Sequence, residues 1–145
     1  MCLALLKQLI SQSRAKSTVK PTSTKRIAFA DLHKILRGIT QSAPIHLSDR
    51  NYLLCNKADI KAFLATDTTN RNTYVQEKFD CDDFAYRLMG QMSVPYWSDL
   101  AFGILWTDTH ALNCFIDEAG EFYLVEPQTD EITKPQDIKV RFIIM

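Results

Sequence analysis

The chain has 145 residues, 46% hydrophobic and 23% charged, with seventeen basic and seventeen acidic side chains that cancel. That length suits one domain with a real core, and the composition is that of an ordinary soluble globular protein. No apolar run reaches the roughly 18 residues that span a membrane, and four glycines with five prolines exclude low complexity.

The cancelled charge conceals an asymmetry. Residues 1–26 hold six of the basic side chains (Lys7, Arg14, Lys16, Lys20, Lys25, Arg26) and no acid, leaving eleven bases against seventeen acids beyond them. A basic arm on an acidic body can touch an anionic surface or its own domain. No aromatic side chains are interleaved with the charges, so nucleic acid is not an expected partner. Within the arm, Leu3, Leu6, Leu9, Ile10 and Ser13 recur at helical spacing over 1–14. Lys7 interrupts the apolar run of a secretory signal, whereas the acid-free, Ser- and Lys-rich composition also resembles an organelle transit segment. Residues 15–25 read as a linker. The division is a basic amphipathic helix and linker over 1–26 and a single domain over 27–145.

The apolar set Phe29, Leu32, Ile35, Leu36 and Ile39 predicts an amphipathic helix ending near Gly38. Leu47 to Leu54 reads as a strand, and Asn56 as the cap of a helix through Leu64. Thr66–Asn72 is a polar loop. Cys81 to Met92 is the next helix, with Phe84, Leu88, Met89 and Met92 on one stripe. Asp80 serves as its N-cap, and Asp83, at the third helical position, reaches back to it. The period then changes to two: Ala101–Trp106, His110–Asp117, Glu121–Glu126 and Ile138–Met145 read as strands. Helices first and an antiparallel sheet after make an α+β order.

Candidate chemistry gathers on three short stretches. Phe-Asp-Cys-Asp-Asp-Phe at 79–84 places Cys81 in the first turn of a helix, where unpaired backbone N–H groups and the helix dipole favour a thiolate. His110 supplies a base and Glu126 an orienting carboxylate, the order of a nucleophile–base–acid trio. A three-residue hairpin loop, Glu118-Ala119-Gly120, sets Asp117 opposite Glu121 and makes His110 and Glu126 diagonal neighbours on one face. Asn113 is out of phase with His110 and a weaker orienter. Gln76 is a candidate for an oxyanion hole, and Trp97 and Trp106 are candidates to line a substrate cleft.

Asp80, Asp82 and Asp83 oppose ionisation of the neighbouring sulfur unless they point away as caps or a divalent cation neutralises them. These carboxylates are the expected ligands of such a cation, although they do not match an EF-hand loop. Zinc held by Cys81, His110 and Cys114 is an alternative of poor spacing. The four cysteines, Cys2, Cys55, Cys81 and Cys114, contain no Cys-x-x-Cys pair, so free thiols in a reducing, intracellular compartment are expected.

These stretches, with His110-Ala111-Leu112-Asn113 and Glu126-Pro127-Gln128, resemble the papain-like C-terminal domain family of the fairy-ring mushroom (Marasmius oreades) agglutinin. The resemblance covers roughly residues 47–130. It implies a papain-like fold, a calcium-dependent cysteine peptidase with Cys81, His110 and Glu126 as its triad, a peptide or protein substrate, and Ca2+ near Asp80 and Asp82. No β-trefoil precedes the motifs here, so sugar binding is not expected to carry over. The competing expectation is a catalytically silent papain-like module that engages a partner through the basic arm.

Overall fold

A computed structural model describes residues 20–145. The helix expected over 1–14 and Cys2 lie outside the described residues. The elements run in the order β1 (Arg26–Ala28), α1 (Phe29–Ile39), β2 (Ile45–His46), β3 (Asn51–Leu53), α2 (Lys57–Thr66), a 3-10 turn (Thr69–Arg71), α3 (Cys81–Met92), β4 (Phe102–Thr107), β5 (Ala111–Ile116), β6 (Phe122–Glu126), β7 (Glu131–Thr133) and β8 (Val140–Ile144). Apart from β2, the strands of the main sheet follow the helices; the papain-like description of that order rests on the resemblance alone.

Six strands form that sheet in the order β2-β8-β4-β5-β6-β7, while β1 and β3 pair apart from it. All neighbours are antiparallel except β2 and β8, which are parallel. The central strands are buried on both faces, and so read as nearly continuous apolar runs. One face carries Leu105, Cys114, Ile116, Phe122, Leu124 and Ile143 against Leu32 and Leu36 of α1. The other carries Phe102, Phe115, Tyr123 and Val125 against Ile60 and Leu64 of α2 and Leu88 and Met92 of α3. The sheet is the middle layer, with α1 on one side and α2 and α3 on the other.

Local signals explain several boundaries. Asn56 caps α2 by accepting from the Ala58 amide at 2.8 Å, and α1 and α3 begin and end where the periodicity places them. Of the expected strand over 47–54 only β3, Asn51–Leu53, forms, and β2 lies ahead of that range. Gly120 adopts φ +82° at the β5–β6 turn, a left-handed conformation that costs glycine little. The resulting register pairs Ile116 with Phe122 and Asn113 with Val125, as the three-residue loop requires.

The described part of the basic arm is tied to the acidic body. The Thr22 amide donates to Asp59 at 2.6 Å, Ser23 Oγ to Glu118 at 2.9 Å, and Arg26 pairs with Asp99 at 2.8 Å. Ser23 is 6% exposed. No helix among the described residues is long and apolar enough to cross a membrane.

Candidate functional site

The turn before α3 sets the position of Cys81. Val75 and Phe79 close the turn through backbone bonds, with Glu77 at φ 60°. The Glu77 amide donates to Asp80 Oδ2 at 3.0 Å, and the Asp80 amide to Asp83 Oδ2 at 3.1 Å, the latter being one half of a capping box. Phe79 meets the buried Phe84 edge-on at 4.8 Å. These contacts fix where the helix starts, so Cys81 becomes its first residue.

Asn113 joins α3 to the sheet. It is fully buried, and Nδ2 donates to Ala85 O at 3.0 Å and Gly103 O at 3.2 Å. Ala85, Ile104 and Ala111 form a small core there, against which Cys81, Met89 and Trp106 pack. Cys81 therefore lies at the end of the sheet where β4 turns into β5, and His110 is the residue immediately before Ala111.

His110 is held in the β4–β5 turn by its backbone, donating to Thr107 Oγ1 at 3.0 Å and accepting from the Thr107 amide at 2.8 Å. Its Nε2 lies 2.6 Å from Glu126 Oε2. The other Glu126 oxygen accepts from the Gln128 amide at 3.2 Å. The hydrogen bond to Glu126 raises the His110 pKa against the opposing effect of burial. Burial pushes the Glu126 carboxyl up, but the bonds from His110 and Gln128 outweigh it and hold the carboxyl below its ordinary value. With Nε2 committed to Glu126, Nδ1 is the ring nitrogen left to act on another group.

The expected site residues are thus brought together only in part. His110 and Glu126 are joined directly. Among the described residues no hydrogen bond links Cys81 to His110, although Cys81 packs in the small core that contains the adjacent Ala111. Gln76 is exposed in the turn ahead of α3. Trp106 packs beside Cys81, whereas Trp97, 5% exposed, sits in the core with Phe63 at 4.9 Å. Cys114 is buried on the α1 face, where desolvation raises its thiol pKa far above the ordinary value, so the zinc set does not assemble.

Asp80, Cys81 and Asp82 do bring potential ligand atoms within 4.8 Å of one another. The set fits an oxygen-preferring cation poorly. One of its atoms is a soft sulfur, and Asp83 is engaged in the cap. The proximity of Asp82 lowers the Asp80 carboxyl, and that of Asp80 raises the Asp82 carboxyl.

An aromatic rim adjoins this end of the sheet, and its composition was not apparent from spacing. Trp106 stacks on Phe142 at 4.2 Å and 15°, and Tyr86 of α3 leans on it at 5.6 Å. Tyr86 is 54% exposed. Its place on the helix face opposite the apolar stripe is the signal that could have singled it out.

Residues 23–145 match the family described as the ricin-type beta-trefoil lectin C-terminal domain. No curated protein matches. Among solved structures, the chain is similar to one titled as a PSL1a-E64 complex, at 23% identity and a TM-score of 0.74 over 83% of this chain and 50% of that one. It is also similar to the Polyporus squamosus lectin bound to the human-type influenza-binding epitope Neu5Aca2-6Galb1-4GlcNAc, at 22% identity and a TM-score of 0.69 over 83% and 49%. The chain spans about half the length of these lectin chains. The coarse part of the resemblance, to the C-terminal domain of a fungal agglutinin, agrees with these matches. The expectation of a cysteine peptidase with a Cys81–His110–Glu126 triad is overturned: the family matched is a lectin family, not a hydrolase family. The same match displaces the alternative of a silent module working through its basic arm, and it supports no peptide substrate.

Proposed function

Because the chain belongs to the family of the ricin-type beta-trefoil lectin C-terminal domain, we propose that it takes part in carbohydrate binding as the C-terminal domain of a lectin. The family match over residues 23–145 carries this reading. The expectation that sugar binding would not carry over gives way to it.

The end of the sheet around His110 has the chemistry such a role needs. Sugar rings present apolar C–H faces that pack on aromatic rings, and hydroxyls that bond to a few fixed polar groups. Tyr86, Trp106 and Phe142 supply the first; His110 Nδ1 in the β4–β5 turn and the Glu126 carboxylate at the end of β6 supply the second. In this role His110 and Glu126 bind, and Cys81 is an apolar packing group beneath Trp106.

The test is a glycan array followed by calorimetry on the chain, with the sialylated trisaccharide of the solved neighbour among the probes. Binding that falls at least tenfold in Trp106→Ala and Tyr86→Ala, both with unchanged circular dichroism, supports the reading. No glycan bound at millimolar concentration, or equal binding by both variants, overturns it.

A further inference from the structure

A cavity of about 150 Å³ opens at the C-terminal end of α3, the end away from Cys81. Its inner wall is apolar: Met92, Trp97, Leu100 and Phe102 line it, each 5% exposed or less. Its rim is polar, for Ser48, Asp49, Ser93 and Ser98 also line it and are exposed. A small-molecule site is built this way, from apolar walls and a few placed polar groups. An apolar cavity of similar size accepts a molecule as large as benzene.

The rim is held in place by the protein itself. Tyr52 Oη accepts from the Asp49 amide at 2.8 Å and donates to Met145 O at 3.3 Å, and the Ser48 amide donates to the same carbonyl at 2.8 Å. Ser93 Oγ donates to Met89 O at 2.9 Å. A rim ordered in advance lowers the entropy lost on binding. Its electrostatics have one sign. Asp49 is the one charged side chain among the described residues that line the cavity, and Ser48 Oγ meets its carboxylate only at 3.3 Å. In addition, α3 has no basic residue in its last turn, so the helix itself leaves the partial negative charge of its final carbonyls without a balancing cation. An anion is repelled there, and a neutral guest leaves the carboxylate unanswered.

We propose that this cavity binds a small primary ammonium carried on an apolar body of about the size of benzene. The body fills the space against Trp97, Leu100 and Phe102, and the ammonium meets Asp49 and the serine hydroxyls at the rim. Its three N–H groups all donate, and the carboxylate and hydroxyls all accept. Thioether and aromatic walls are polarizable and favour a cationic guest. Because the ion pair is exposed to water, its contribution is modest, and affinity in the millimolar range is expected. The cavity is separate from His110 and the aromatic rim, and the inference does not depend on the glycan reading.

The test follows the backbone amides of the isotope-labelled chain by NMR at neutral pH, during titration with benzylamine, benzyl alcohol and benzoate. Benzylamine is expected to shift the amides of Asp49, Ser93 and Ser98 with a millimolar Kd. Benzyl alcohol should bind several-fold more weakly, and benzoate not at all. Asp49→Asn should reduce benzylamine to the level of the alcohol. Ser98→Arg, which sets a like charge on the rim, should block benzylamine and leave the alcohol bound. Both positions are exposed, and unchanged thermal unfolding verifies that each variant is folded. No shift with benzylamine, shifts scattered away from the cavity, benzoate binding as tightly as the amine, or benzylamine binding unchanged in either variant overturns the assignment.

Discussion

Replacing Glu126 by Gln keeps the size of the side chain and removes the charge that His110 meets at 2.6 Å. The two side chains are 34% and 24% exposed. Their bond therefore falls between an exposed ion pair, worth under about 1 kcal/mol, and a buried charged hydrogen bond, worth about 1.5–3 kcal/mol. A loss of about 1 kcal/mol is expected, or about 4 °C in Tm for a chain of this length. The pH dependence is the sharper check. Glu126 is held below its ordinary 4.5, so its share of the stability is present above that pH and lost as pH falls through the lowered value. His110 is raised above its ordinary 6.5, so its share is complete below 6.5 and lost as pH rises through the raised value. The difference between wild type and Glu126→Gln should be largest between about pH 4.5 and 6.5 and shrink by pH 9. Urea unfolding of both proteins at pH 5.5 and 9 measures it, with the His110 titration followed by NMR. Equal differences at the two pH values, or a His110 pKa unmoved by the substitution, would refute the assigned coupling.

Substitutions at three further positions probe the scaffold. In Gly103→Ala the new Cβ would stand 2.0 Å from Ile144 O and 2.5 Å from Met145 Cγ; the backbone must shift, and thermal denaturation should show a loss of about 3 kcal/mol. A wild-type Tm would contradict the close approach of β4 and β8. Asn113→Ala removes the bond that ties α3 to the sheet and a second one to Gly103 of β4 and should cost about 1–2 kcal/mol in urea unfolding, a neutral result meaning that packing alone holds the helix. Asn56→Ala should cost about 1 kcal/mol and Asn56→Gly only a few tenths; equal costs would contradict the capping role of its side chain.

Local rules made part of the fold legible. Leu32, Leu36, Leu88 and Met92 fall at helical spacing and are buried where that spacing puts them. Gly120 set the hairpin register, and the register set His110 diagonal to Glu126. Long-range pairing was hidden. The parallel β2–β8 pair joins residues almost a hundred apart, and β7, Glu131–Thr133, is too short for an alternation to register. Trp97 was misplaced because an aromatic near a motif in sequence can still turn into the core. The polar stretch 66–72 gave no sign that Thr69 is wholly buried. Function was the least legible part. Cysteine, histidine and glutamate in order describe a possible meeting of three groups, yet only the last two bond to each other.

Glu126 is the residue on which the separate observations converge. One carboxylate oxygen takes His110, the other takes the Gln128 amide, and its carbonyl accepts the amides of Thr129 and Asp130. A strand end bonded this heavily has little freedom, so the imidazole it faces is fixed as well. The same turn carries Asp130, whose carboxylate accepts from Asn70 Nδ2 at 2.5 Å, four residues later. The start of α3 is fixed separately by Asp80 and Asp83, so Asp80→Asn is expected to loosen that helix start while the His110–Glu126 bond, followed by the His110 titration in NMR, stays in place. The two ends of the motif-bearing region are therefore separable by mutation, though the sequence presents them as one site.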